Sequence, residues 1–104
     1  MIIVSSDEIG GREIVEVSGM VKGSAVRARG VVFDITASFR NILGGKVPEY
    51  AKLMHDTREE ATNYMVAEAE ALGADAIVAA RYTTSMVASG TSEILAYGTA
   101  VKLR

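Results

Sequence analysis

Apolar residues follow two rhythms along this chain, one of strands and one of helices. Ile2-Ile3-Val4 is a short β-branched run followed by Ser5-Ser6-Asp7, which predicts a small strand ending in a turn. From Ile14 to Val21 the side chains alternate imperfectly. Val15, Val17, Gly19 and Val21 fall on one side, and Ile14, Glu16, Ser18 and Met20 on the other. That pattern predicts a strand with one largely apolar face, and Gly19 inside it points to a bulge or a close backbone neighbour. Lys22 to Gly30 reads as a loop or irregular strand. Near the C-terminus, Ala76 to Val87 and Glu93 to Leu103 flank the turn Ser89-Gly90-Thr91-Ser92 and predict a hairpin. In its last strand Ile94, Ala96, Gly98 and Ala100 share one face, while Leu95, Tyr97, Val101 and Leu103 share the other.

Helical spacing governs the middle of the chain. Asp34 can accept from orphan backbone N–H groups as an N-cap, Ile35, Phe39, Ile42 and Leu43 recur at helical intervals, and Gly44 supplies a stop. A short helix is expected there. Pro48 then suits the first turn of a longer one, Glu49 to Leu72, which would run about 36 Å at roughly 1.5 Å per residue before Gly73 ends it. Tyr50, Met54, Thr57, Ala61, Tyr64, Met65 and Leu72 cluster on one side of its wheel, with Glu59, Asn63, Val66, Ala67 and Glu70 opposite. Thr57-Arg58-Glu59-Glu60 also spells a capping box, which would allow a break near Asp56. The expected class is α+β: a mainly antiparallel sheet packed on one long helix, with a shorter helix before it, in a single domain over residues 1–104.

Both faces of the last strand are apolar, yet one helix layer covers only one face of a sheet. The cheapest cover for the second face is another copy of the same chain. Composition points the same way. The 104 residues are 49% hydrophobic with 6% aromatic and no Trp, so the surplus is aliphatic, and small domains often hide such surface against themselves.

The net charge of −2 gives no footprint for nucleic acid, so none is expected as a partner. Basic residues gather between Lys22 and Lys46 (Arg27, Arg29 and Arg40 among them), and acids between Glu49 and Asp75. Such halves can meet within or between subunits, or the basic one can hold a phosphate. The absence of Cys removes disulfides, thiolate metal sites and thiol nucleophiles together. No apolar run approaches the ~20 residues that span a bilayer, and no leader-like start is present, so a cytoplasmic location is the expectation.

Asp34-Ile35 with Ala37, then Arg40-Asn41-Ile42 with Gly44-Gly45, then Arg58, Ala61, Met65 and Ala69, and finally Leu72-Gly73-Ala74-Asp75-Ala76-Ile77 resemble the YbjQ-like family. These are small bacterial and archaeal proteins of unknown function, labelled in places as heavy-metal-binding domains. The similarity spans essentially the whole chain, and the Arg-Asn-Ile-x-Gly-Gly segment is fairly specific. Thr36 and Ser38 stand where related sequences commonly carry glycine. The resemblance implies a β-α-β-β subunit similar to dodecin, assembled as a ring, usually a pentamer. It implies no reaction.

Candidate chemistry is sparse. His55 is the only His, and a soft-metal site takes His or Cys from several positions, so no metal ligands are assigned. Neither a dinucleotide nor a P-loop glycine pattern is present, and the Ser and Thr residues lack a triad, so no catalytic residues are assigned and the cofactor is unknown. Glu68 breaks the local rule, falling mid-stripe between Ala61, Met65 and Leu72, where an unpaired carboxylate is costly to bury. It reads as one half of an ion pair, with Arg81 or an Arg of a neighbouring subunit, or as a ligand group in a pocket. Asp34, Arg40 and Asn41 combine a helix N-terminus with an arginine, which can hold a small anion; capping and a loop-to-loop hydrogen bond explain the same residues without any ligand. The candidate ligand-binding set is therefore Asp34, Arg40, Asn41 and Glu68. The function expected is a homo-oligomeric binding or scaffold protein, with a metal-binding protein or a carrier of a small anion at subunit interfaces as alternatives.

Overall fold

The computed structural model describes residues 1–27, 47–88 and 91–104, and of residues 27, 47–50 and 87 the backbone alone. Strands β1 (Ile2–Ile3) and β2 (Ile14–Arg27) precede helix α1 (Val47–Ala71), and strands β3 (Ala76–Ala88) and β4 (Thr91–Leu103) follow it. The sheet order is β1-β3-β4-β2. β1 runs parallel to β3, and the long β2–β4 and β3–β4 pairings are antiparallel. The expected α+β class and long helix are present; the short helix expected over Asp34 to Gly44 lies outside the described residues.

β2 does not end near Val21 but runs on to Arg27. Val21, Gly23 and Ala25 explain the extension, because all three are buried against the helix and hold the strand straight. Gly19 does mark an irregularity: its φ is +126° and the register with β4 shifts between Val17 and Gly19.

The helix ends as its glycine requires. Gly73 adopts φ +71°, its N–H donates to the Glu70 carbonyl at 2.9 Å, and the Ala74 N–H donates to the Ala69 carbonyl at 3.1 Å. These two bonds satisfy carbonyls that the last turn would otherwise leave open. Gly73→Ala is expected to lower stability by about 1 kcal/mol, the cost of placing a Cβ in the left-handed region. A shift in urea midpoint checks it.

Between sheet and helix lies one core of Val21, Ala25, Met65, Ile77 and Ile94, filled in by small residues: Ala61, Ala69, Ala96 and Ala100. The buried stripe of α1 is Thr57, Ala61, Met65 and Ala69. Tyr64 and Leu72, expected in that stripe, are 52% and 44% exposed. Gly23 is the reason. A Cβ there would overlap the Ala61 carbonyl oxygen and the Met65 amide nitrogen, so strand and helix backbones touch at this point. Only small side chains fit beside such a contact, and the larger ones turn to the helix flanks.

Among the described residues the outer face of the sheet is covered only at its lower end. There Ala76, Val78 and Val101 pack beneath Val4, Ile9, Ile14 and Leu103. The segment after β1 is held by bonds from the Ala79 N–H to Ser6 O at 2.8 Å and the Ala80 N–H to Val4 O at 3.0 Å. Ala79 sits at φ 53° in a bulge between Val78 and Arg81. Gly98 accommodates that bulge, since a Cβ on it would lie 2.6 Å from Ile77 Cγ2 and 3.1 Å from the Val78 carbonyl oxygen.

Candidate functional site

Glu68 is exposed on the flank of α1, not buried in its stripe. Its carboxylate Oε1 accepts from the Lys22 backbone N–H at 3.3 Å. The side chain therefore reaches over the outer edge of β2, whose other edge pairs with β4. Arg81 is not its partner. Arg81 Nη1 donates to Ser5 O at 2.7 Å and to Ala80 O at 3.0 Å, tying down the N-terminal segment on the far side of β4. The mid-stripe expectation fails because the close contact at Gly23 sets the roll of the helix, and that puts Glu68 beside the strand edge.

One consequence follows for a variant. Glu68→Ala leaves the Lys22 amide open to water, so it is expected to exchange faster while global stability falls by well under about 1 kcal/mol, as befits an exposed contact. Residue-resolved hydrogen exchange and a urea titration check the two halves.

Other polar side chains of the helix bond across to β3 or along the helix itself. Tyr82 Oη and Thr62 Oγ1 lie 2.8 Å apart, and Tyr64 Oη donates to Glu60 Oε1 at 3.2 Å. Thr57, buried within the stripe, donates its hydroxyl to the Leu53 carbonyl at 2.7 Å. Asp75 takes the Leu103 N–H on its Oδ2 at 2.8 Å and donates its own N–H to Val101 O at 2.9 Å, which makes it a structural clip between β4 and the turn after the helix.

The resemblance to heavy-metal-binding domains invites a test for such a metal. His55 is exposed on α1, and its neighbour Asp56 is already paired with Lys52 Nζ at 3.1 Å. Among the described residues no three His, Cys, Asp or Glu side chains come together. A soft cation needs several imidazole or thiolate ligands, and this donor set does not fit one within a subunit. A cavity of about 350 Å³ opens beside Glu8, Ile9, Arg12, Glu13 and Ile14. Its charges are partly engaged: Arg12 Nε donates to Arg104 O at 3.1 Å, and Arg104 Nε pairs with Glu13 Oε2 at 3.2 Å. Sequence periodicity gave no sign of it, because it forms where a loop meets the chain end.

Asp34, Arg40 and Asn41 lie outside the described residues, so of the four candidate ligand residues only Glu68 has a described position. The largest chemical feature that remains is apolar. On the upper outer face Met20 is 72% exposed, one step along the sheet from half-buried Tyr97 and then Leu95, while Val17, 65% exposed, stands opposite Val101 at the edge of the covered end. Register pairs Met20 with Thr99 and Val17 with Val101, which places them on the face away from the helix. No helix of the described residues is long and apolar enough to cross a membrane.

A family model described as "Putative heavy-metal-binding", YbjQ_1, matches residues 1–104. The chain is 50% identical to a UPF0145 protein of Halorubrum lacusprofundi over 100% of both chains. It is 48% identical to a UPF0145 protein of Methanosarcina acetivorans, covering 99% of this chain and 97% of that one. A UPF0145 protein of Photobacterium profundum is 50% identical, over 99% of this chain and all of its own. Among solved structures, a protein of unknown function of the DUF74 family from Pediococcus pentosaceus superposes with a TM-score of 0.66. That likeness covers 100% of this chain and 98% of the other at 18% identity, and it concerns the fold alone.

Proposed function

The chain belongs to the YbjQ family of UPF0145 proteins, and we propose that it works as a homo-oligomeric ring with a binding or scaffold role. The pentamer is the form that its resemblance to dodecin-like family members implies. One observation carries the proposal: the upper outer face of the sheet, with Met20, Leu95 and Tyr97, has no second layer among the described residues. A sheet with two apolar faces and one helix is half of a sandwich. A copy of the same chain supplies the missing layer with no new sequence, and closed symmetry repeats one contact around a ring.

The heavy-metal reading carried by the family description gains nothing from the side chains of one subunit. It would require ligands contributed by several subunits, with His55 repeated around the ring as the imidazole donor. A small anion held near Asp34, Arg40, Asn41 and Glu68 at subunit boundaries is the alternative ligand.

Native mass spectrometry on untagged protein, purified without chelator, tests the proposal. A bare multiple of the chain mass, with five copies expected, supports a ring. Additional mass equal to a metal ion or a small anion would identify the ligand and its stoichiometry. A monomer at micromolar concentration would overturn the assembly and the role built on it.

A further inference from the structure

Gly10-Gly11 reverses the chain between Ile9 and Arg12, which form an isolated antiparallel bridge with the Arg12 N–H donating to the Ile9 carbonyl at 3.1 Å. Gly11 takes φ +79°, a left-handed value that glycine adopts freely, so two residues suffice for the turn. The reversal sets Glu8 and Ile9 alongside Arg12, Glu13 and Ile14, and these five residues line a cleft of about 350 Å³. Clefts that hold small molecules begin at about 300 Å³. Its walls are held by neighbours. Half-buried Ile9 and Ile14 pack on the Ala76, Val78 and Val101 cluster. The Arg104 N–H donates to the Glu13 carbonyl at 2.9 Å, and Arg12 Nε donates to Arg104 O at 3.1 Å.

Those bonds use some of the charged groups and leave others open. Glu13 Oε2 pairs with Arg104 Nε at 3.2 Å, so that carboxylate and that guanidinium satisfy each other. The Glu8 carboxylate has no partner among the described residues; only its backbone carbonyl is used, by the Ser6 hydroxyl at 2.7 Å. Arg12 gives Nε to Arg104 O, which fixes the guanidinium and leaves its Nη1–Nη2 edge without a partner among the described residues. Two parallel N–H donors on such an edge match the two oxygens of a carboxylate. The cleft therefore offers three unlike surfaces: an open carboxylate, an open donor fork, and the hydrocarbon of Ile9 and Ile14. A simple anion would meet Glu8 as a like charge, and a simple cation would meet Arg12 as one. Only a ligand that carries both charges matches the two together.

We propose that this cleft binds a small aliphatic zwitterion, with the chemistry of an α-amino acid whose side chain is a short hydrocarbon. The ligand carboxylate takes the Arg12 Nη edge, its ammonium takes Glu8, and its hydrocarbon covers Ile9 and Ile14. The site goes beyond the ring reading and does not rest on it, because all five lining residues belong to one subunit.

Residue-resolved nuclear magnetic resonance on the full chain, titrated with L-leucine, tests the site. The Gly10, Gly11, Arg12 and Glu13 amides are expected to shift and saturate together. 4-Methylpentanoate lacks the ammonium and 3-methylbutylamine lacks the carboxylate, so each is expected to bind about tenfold more weakly, the loss of one charge-assisted contact. Glu8→Gln removes a carboxylate that holds nothing in the fold, so the variant stays folded. It is expected to weaken L-leucine about tenfold and to leave 4-methylpentanoate unchanged. Loop amides that stay unmoved up to the solubility limit of L-leucine overturn the site. Equal affinity for 4-methylpentanoate or inorganic phosphate would make the cleft a plain anion site and overturn the zwitterion, as would a Glu8→Gln protein that binds L-leucine as before. A monomeric native mass would overturn the ring and leave this site standing, whereas an intact ring that ignores L-leucine would do the reverse.

Discussion

Gly23→Ala is expected to lower the free energy of unfolding by at least about 3 kcal/mol, at the upper end of what overpacking alone does. The added Cβ would overlap the Ala61 carbonyl oxygen and the Met65 amide nitrogen, and would sit 2.8 Å from Tyr64 Cβ. Helix backbone cannot swing aside as a side-chain tip can. The whole of α1 must lift, and lifting it opens gaps around Ala61, Met65 and Ala69, each fully buried now. A close-packed interior tolerates such gaps poorly. Against a total stability of roughly 5–15 kcal/mol for a domain, this is a large fraction. Urea unfolding should show a much lower midpoint at a similar slope. A loss below about 1 kcal/mol would mean that the helix is not seated on β2 as described.

Met65→Ala is expected to cost about 2–5 kcal/mol, the range for emptying a buried methionine site. Met65 is 0% exposed and the largest side chain so buried, in the one layer between helix and sheet. The same core cluster is rich in short side chains, Ala25, Ala61, Ala69 and Ala96, which cannot reach into the space. Met65→Leu, close in volume, should stay within about 1.5 kcal/mol. Met86→Ala offers a contrast, because Met86 is 71% exposed and its loss should leave the folded subunit almost unchanged. If Met65→Ala and Met86→Ala melt alike by differential scanning calorimetry, the assignment of the core is wrong.

Much of this architecture was legible before any coordinates. The helix, its glycine stop, the C-terminal hairpin and the irregularity at Gly19 each follow from local signals, and local signals survive folding when tertiary contacts do not oppose them. The two-faced apolar character of β4 was equally plain: Ile94, Ala96 and Ala100 are buried toward the helix, and Val101 is buried on the other side. The length of β2 was not legible, because Lys22, Gly23 and Ser24 carry no strand-like alternation of their own. Their extended form is imposed by β4, which pairs with them residue by residue.

Glu68 shows where sequence reasoning about the site ran out. A helical wheel gives angles relative to a stripe, but the zero of that wheel is set by whatever the helix touches. Here it is set by a glycine forty-odd residues away in the sequence, which no periodicity within the helix can report. Rolled by that contact, the helix buries Ala69 and frees Tyr64 and Leu72, and the carboxylate that looked stranded in the core becomes the cover of a strand edge. By itself the sequence determined the family, the long helix with its glycine stop, the C-terminal hairpin and the surplus of aliphatic residues, because composition and short-range spacing are properties of the chain alone. Only the tertiary structure decided which residues meet across elements and which way the helix is rolled on the sheet, because those depend on how closely two backbones can approach.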